Sequence, residues 1–303
     1  MNTSMLLDLR PLSTGELLDR TFRLFRQHFF TFFSIVAITQ LPGTMFQILA
    51  AALVGNPANL ETAILSGEVV GPAILIVLGV LFLSGIVTQI GTAALTTAIA
   101  DSYLGRKINF DSAFRRMDNT WLTLILASFV AGLMLFALAI PVVLVSIIPC
   151  LGGLAMLVGL FLIGVSAVVV FSLLPPVVVL ERAGAIDSLK RAWALSKLRF
   201  WWIFGYLFLL GILTGLITFG PSLLIGFLIP FVIGSTNVLI QSIIQQSASL
   251  VLTAVFLPIH FTAVTLMYFD LRIRFEGFDL MVLASTDDEF TADASDLTTN
   301  TIL

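Results

Sequence analysis

The chain has 303 residues, of which 58% are hydrophobic and 11% charged, with a formal net charge of −3 and a mean hydropathy of +1.08. A soluble domain is about 25% charged, so this composition excludes a water-soluble globular protein and points to a membrane. With 1 cysteine and 2 histidines, neither a disulfide framework nor a spaced set of metal ligands can be built, and no cofactor or nucleic-acid motif is present.

The first predicted element lies in RPLSTGELLDRTFRLFRQHFFTFF, residues 10–33. Ser13-Thr14-Gly15-Glu16 fits a capping box, in which the serine oxygen accepts from the Glu16 amide and the glutamate accepts from the serine amide, so a helix starts there. Leu17, Leu18, Thr21, Phe22, Phe25 and Phe29 then recur at spacings of three and four, with Arg20, Arg23 and Gln27 on the other face. Such a helix lies in the headgroup plane, with Leu17, Leu18, Phe22 and Phe25 embedded. Arg20, Arg23 and Arg26 are its candidate contacts to anionic lipid headgroups. It is not a secretory signal, because the polar lead is too long and no small-residue cleavage site follows.

A bilayer core about 30 Å thick needs about 20 apolar residues per helix. Charge-free runs of that length occupy 29–54, 71–100, 121–148, 151–180, 201–233 and 247–269, which predicts six spans. They do not alternate in polarity, so they are not strands of a membrane barrel. Two stretches strain the count. Residues 222–233 follow Gly220-Pro221 and would rise only about 18 Å as a helix, so they are read as a kinked continuation or a re-entrant segment. The same reading applies to 142–149 beyond Pro141.

All 15 Lys and Arg fall in every second connection: 10–26, 106–116, 182–199 and 272–274. The intervening connections near 55–70, 149–153 and 234–246 carry only Glu61 and Glu68. The positive-inside rule then places both termini in the cytoplasm. Trp121, Trp201, Trp202, Tyr103 and Tyr268 sit at the predicted inner ends, where amphipathic rings anchor at the interface. Asp101, Glu181 and Asp270 lie at the same ends, beside arginines. Residues 285–303 carry Asp287, Asp288, Glu289, Asp293 and Asp296 with no basic residue, and read as a disordered acidic cytoplasmic tail on a single membrane domain, 1–284.

Three basic segments share a pattern. FRLFRQHFF from Phe22, FRRMDNTWL from Phe114 and WALSKLRFW from Trp193 each place an aromatic seven residues after an aromatic. Two spans follow each copy, and the second ends in an acid with a glycine soon after: Asp101 with Gly105, Glu181 with Gly184, Asp270 with Gly277. The expected fold is an all-α integral membrane protein, a six-helix bundle of three repeats (8–101, 102–181, 182–270), each an interfacial amphipathic helix plus a transmembrane hairpin. The competing explanation is that any six-span chain has basic loops at every second connection.

PLSTGELLDRTFRLFR, LLPPVVVLERAGAIDSLKRAWALSKLRFWW and YFDLRIRFEGFDL together resemble the prokaryotic glycerophosphoryl diester phosphodiesterase membrane-domain family, in the expected order over most of residues 10–283. The resemblance implies the stand-alone membrane part in a prokaryotic plasma membrane, without the catalytic phosphodiesterase domain. No functional residues come with it.

Polar residues inside spans tend to face the bundle or a cavity. Gln246, Ser249, Thr253 and His260 share a face of the sixth span; Thr88, Thr92 and Thr96 form a stripe beside Gln89 in the second; Gln40 and Gln47 lie two turns apart in the first. They form a candidate polar seam, whose ordinary explanation is interhelical hydrogen bonding worth about 0.6 kcal/mol per contact. His28 and His260 are too far apart in depth to act as an acid–base pair, and Cys150 has no partner histidine nearby. The expectation is therefore a non-enzymatic accessory or scaffold protein whose partners are membrane lipids, anionic ones included, and a membrane protein or a second copy. A transporter or channel for a small or lipidic solute is the alternative, and a membrane-embedded lipid phosphodiesterase the distant one.

The loop charges predict that Cys150 reacts with an impermeant maleimide added to sealed cells, whereas a cysteine placed at Ser285 is protected until the membrane is opened. Labelling of the Ser285 site in sealed cells would overturn the six-span, both-ends-inside topology.

Overall fold

The structure, a computed structural model, describes residues 10–54, 70–106, 108–146, 148, 152–233, 238–278 and 280. Cys150 and the acidic tail lie outside these residues. Among them are nine helices and no strand: α1 (Thr14–Gln27), α2 (Phe29–Val54), α3 (Val70–Tyr103), α4 (Phe110–Met117), α5 (Thr120–Val145), α6 (Gly152–Glu181), α7 (Ala185–Leu198), α8 (Phe200–Ile233) and α9 (Val238–Glu276). Six of them, α2, α3, α5, α6, α8 and α9, are long and apolar enough to cross a membrane. The order short, long, long thus occurs three times.

α1 starts as its capping box dictates. The Ser13 amide donates to Glu16 Oε2 at 2.8 Å and the Glu16 amide to Ser13 Oγ at 3.4 Å. The Ser13 amide first, then the Ser13 hydroxyl and Arg10, hold the Glu16 carboxyl down to about 2, against an ordinary 4.5. The cap's contribution is therefore complete above the ordinary carboxylate range and lost as pH falls through about 2. After the first two hairpins the chain turns through a left-handed residue, Gly105 (φ 70°) and Arg182 (φ 50°), and Gly277 (φ 63°) follows the third. The glycine expected after the second hairpin, Gly184, instead caps α7 with ordinary backbone (φ −63°), and Arg182 accepts the turn although it carries a Cβ. At the first turn the Arg106 amide donates to the Asp101 carbonyl and the Gly105 amide to that of Ser102, so the last carbonyls of α3 are satisfied.

Burial is concentrated at the basic end. Every residue of 91–103 on α3 is buried, whereas Leu75, Leu78, Leu81 and Phe82 on the same helix are exposed. Apart from Gly152, the buried residues of α6 all lie from Val165 onward, and those of α9 between Ala254 and Ile273. α9 is the central helix, packed against α1, α2, α3, α6 and α8. Gly91 permits the close approach of α2, because a Cβ there would lie 2.6 Å from Thr39 Oγ1. Away from that end the spans present apolar side chains outward, as lipid requires.

α8 continues through Gly220-Pro221 to Ile233 without a break, so 222–233 extends the span and is not re-entrant; its 34 residues are about 51 Å long. α5 likewise runs through Pro141 to Val145. In a membrane bundle, neighbouring groups re-satisfy the carbonyls that proline frees. Two aromatic expectations change. Tyr103 and Tyr268 are buried, Tyr103 stacked on Phe269 at 5.0 Å and the Tyr268 hydroxyl donating to Glu181 at 2.8 Å, so both are core residues and not interfacial anchors. Trp201, 70% exposed, keeps the anchoring position.

The acids that end the second spans tie the repeats together. Asp101 pairs with Arg106 and with Arg116 of α4 at 3.1 and 3.0 Å. Glu181 pairs with Arg191 of α7 at 2.9 Å, and Arg191 also donates to Glu276 at 2.7 Å. Burial alone would lower the Arg191 pKa, but the bonds to Glu181 and Glu276 more than offset it and hold the guanidinium above its ordinary value. Asp270, 1% exposed, accepts from Arg274 at 2.7 Å and from the Leu12 amide at 2.8 Å, while Arg274 donates to the Leu12 carbonyl. Each acid therefore reaches the next interfacial segment, and the third closes onto the first.

Asp270→Asn should lower the melting temperature by several degrees. The change leaves Arg274 facing a neutral amide, and breaking such a pair costs about 2 kcal/mol after allowing for the partial exposure of the arginine. Trypsin added to open membranes should then cleave between Arg10 and Arg26 faster than in the unmodified protein. Unchanged cleavage would show that the clamp does not hold α1.

Candidate functional site: a polar cavity among the six spans

Where the packed layer ends, the spans separate around a cavity of about 770 Å³. All six contribute. Gln40 and Gln47 come from α2, Ser84, Thr88, Gln89 and Thr92 from α3, Ser128 from α5, Ser172 from α6, Gly211 from α8 and His260 from α9. Counting back nine residues from Asp101 and Glu181 reaches Thr92 and Ser172, and ten from Asp270 reaches His260. The cavity therefore sits about 14 Å of helical rise from the ion-paired end, at one depth in all three hairpins.

The wall offers neutral hydrogen-bonding groups. Gln89 Nε2 donates to Ser128 Oγ at 2.7 Å, bridging α3 and α5. Ser84, Thr88 and Ser172 donate to carbonyls of their own helices, which leaves each hydroxyl oxygen able to accept. The side chains of Gln40, Gln47 and His260 make no hydrogen bond to the described residues and present both donors and acceptors. Pro175 also lines the wall, and its missing N–H leaves the Phe171 carbonyl without its helical donor. Among the described residues, no Asp, Glu, Lys or Arg lines the cavity. Leu174, Leu207 and Val264 form its apolar part, and nearer the basic end Val177, Val178, Ile203 and Met267 are fully packed, separating it from the ion pairs.

Five residues of the expected seam meet here: Gln40, Gln47, Thr88, Thr92 and His260. Gln246, Ser249 and Thr253 share the His260 face but lie 14, 11 and 7 residues farther along α9, beyond the cavity. Thr96 is one turn below Thr92, inside the packed layer, with its hydroxyl unpartnered among the described residues. The seam missed Ser84, Ser128 and Ser172. Ser128 and Ser172 carried a weaker signal, as two of the few polar residues in long apolar runs that also hold Thr123 and Ser166.

The candidate headgroup arginines divide. Arg20 turns inward, donating to Tyr103 Oη at 3.3 Å with its guanidinium 5.5 Å from the ring centre. Arg23 and Arg26 remain exposed, beside Asp19, Phe22 and Gln27. The apolar face of α1 is likewise split, because Leu17, Thr21 and Leu24 are buried against the bundle while Phe22 and Phe25 are only half-buried. His28 bonds Ser102 at the basic end and His260 stands deep in the bundle, so the two histidines are apart. Among the described residues no three His, Cys, Asp or Glu converge as a metal site.

Residues 28–271 match the family described as a domain of unknown function, DUF7847. A comparison with curated proteins finds no match, and neither does one with solved structures.

In a Cys150→Ser background, cysteines at Ser128 and Ser172 should react with a small hydrophilic thiol reagent, and a cysteine at Thr96 should not. Equal reactivity at all three positions would mean that the packed layer does not bound the cavity.

Proposed function

This chain belongs to the DUF7847 family, and from that premise we propose that it is a non-catalytic multi-pass membrane protein that binds a neutral, hydrogen-bonding amphiphile in its six-span cavity. Its role is that of an accessory protein handling a lipid or lipid-like molecule. The single observation that supports this is the wall itself: amides, hydroxyls and one imidazole contributed by five of the six spans, with no charged side chain among the described residues that line it. Such a wall suits a ligand whose polar group is uncharged, because an ion would need a counter-charge at this depth. The cavity also falls within the usual range of ligand sites, about 300–1,000 Å³. Three motifs resembling the glycerophosphoryl diester phosphodiesterase membrane domain agree with a membrane part that works without catalysis. Placement in a prokaryotic plasma membrane, with both termini cytoplasmic, follows from that resemblance and from the loop charges.

A second reading, transport of the same class of molecule, is favoured by one observation: among the described residues, the packed layer closes the cavity toward the basic end. Transport requires that end to open, with separation of pairs such as Glu181–Arg191.

The test fills the cavity. At Gly85 and Gly211 an added Cβ meets nothing within 4 Å, so Gly85→Leu and Gly211→Leu project into the space without a clash at the backbone. Lipid extracts of the purified full-length protein, analysed by mass spectrometry, should contain a compound retained about tenfold less by these variants at an unchanged melting temperature. Equal retention would remove the cavity from the binding reading. Flux of that compound across reconstituted vesicles, abolished by Gly85→Leu, would select transport over the accessory role.

A further inference from the structure

A second depression lies on the outside of the second repeat, between α5, α6 and α7, with a volume of about 700 Å³. Its shaft is built from side chains such as Met134 and Leu138 of α5 and Leu162 of α6, and its mouth from Ile186, Lys190 and Trp193 of α7. Among the described residues, only Phe171 borders both this groove and the polar cavity. We infer that this groove binds one acyl chain of an anionic phospholipid, whose headgroup is held by the lysines of α7.

Three observations fix the chemistry of the occupant. Apart from Ser166 and Lys190 the lining is apolar, which suits hydrocarbon and gives nothing to a polar solute. Its orientation is that of a lipid. Leu138 lies 18 residues after the first residue of α5, so the shaft reaches about 27 Å from the basic end, more than the 15 Å or so of one leaflet's hydrocarbon. α7, in contrast, crosses the mouth at that end.

The charge at the mouth is complementary to an anion. Lys190, Trp193 and Lys197 follow one another at spacings of three and four on α7 and so share a face, with the Lys197 ammonium 5.2 Å from the Trp193 ring centre. The only acid on α7 is Asp187, 3.6 Å from Lys190; both are 75% exposed, and a pair that open to water holds its lysine weakly. A phosphate at the leaflet surface can replace the carboxylate as the partner of Lys190. Trp193, 42% exposed, covers the junction between headgroup and chain, as interfacial indoles do. Arg191, between these residues in sequence, points elsewhere and is occupied by Glu181 and Glu276.

The groove is separate from the proposed ligand cavity and its test is independent of that reading. The full-length protein is placed in nanodiscs containing a small fraction of phosphatidylglycerol or phosphatidylcholine brominated on the acyl chains, and the fluorescence lost on changing Trp193→Phe isolates the Trp193 signal. Half-maximal quenching of that signal should occur at about fivefold less phosphatidylglycerol than phosphatidylcholine, the effect expected of one surface cation near an anionic lipid. Lys190→Gln with Lys197→Gln, both at exposed positions, should equalise the two lipids. Ala167→Phe, which fills the shaft without adding an indole, should weaken quenching by both. Equal quenching by the two lipids in the unmodified protein would reduce the groove to ordinary bilayer contact and overturn the inference. Disulfide-linked dimers of Leu138→Cys in a Cys150→Ser background, formed equally in both lipids, would assign the groove to a second copy and overturn it as well.

Discussion

Three carboxylates at one end of an apolar bundle must each be satisfied, and how they are satisfied organises the rest of the molecule. Asp101 and Asp270 are nearly inaccessible, and Glu181 is shielded by Tyr268 and Arg191. An unpaired buried charge costs several kcal/mol, so each acid draws a donor from outside its own hairpin or from the turn that follows it. Because the donors belong to the next interfacial segment, pairing also sets the order of the repeats around the bundle. The last acid has no following repeat and takes the Leu12 amide instead, which closes the arrangement.

This closure confines tight packing to one end. Small residues such as Gly91, Ala93, Ala94 and Ala98 let α3 approach its neighbours there, and between membrane helices close approach is the main source of attraction. Farther along, bulky residues and proline take over and the spans separate. The polar cavity occurs at that transition, where side chains still converge but no longer fill the space. The same pattern makes the two recesses chemically different. The inner one is reached by residues that would be costly in lipid, whereas the groove beside α7 is open to lipid and lined accordingly.

The α1 helix shows how an amphipathic pattern acquires its meaning. Its apolar stripe is equally compatible with lipid and with protein, since both present hydrocarbon. Thr21 was the one polar member of that stripe, and it is buried with its hydroxyl bonded to the Leu17 carbonyl. The helix is thus held by the bundle along Leu17, Thr21 and Leu24, and leaves Phe22, Phe25 and two arginines at its outer side.

The sequence by itself determined everything governed by neighbours along the chain or by the solvent. The length and apolarity of the spans, the capping box at Ser13, the acid–arginine adjacency at the hairpin ends and the short–long–long order are all local or compositional facts. Tertiary structure alone decided which polar residues meet. Helical periodicity gives a direction about each axis, but neither the depth of one helix against another nor its rotation, so Gln246, Ser249 and Thr253 looked equivalent to His260 and are not. Ser128 and Ser172 have no polar neighbour three or four residues away in their spans, so no periodicity revealed them. Gly184 looked like a turn glycine, yet Arg182 turns the chain, because the packing of Glu181 against Arg191 and Tyr268 fixes where α6 must end.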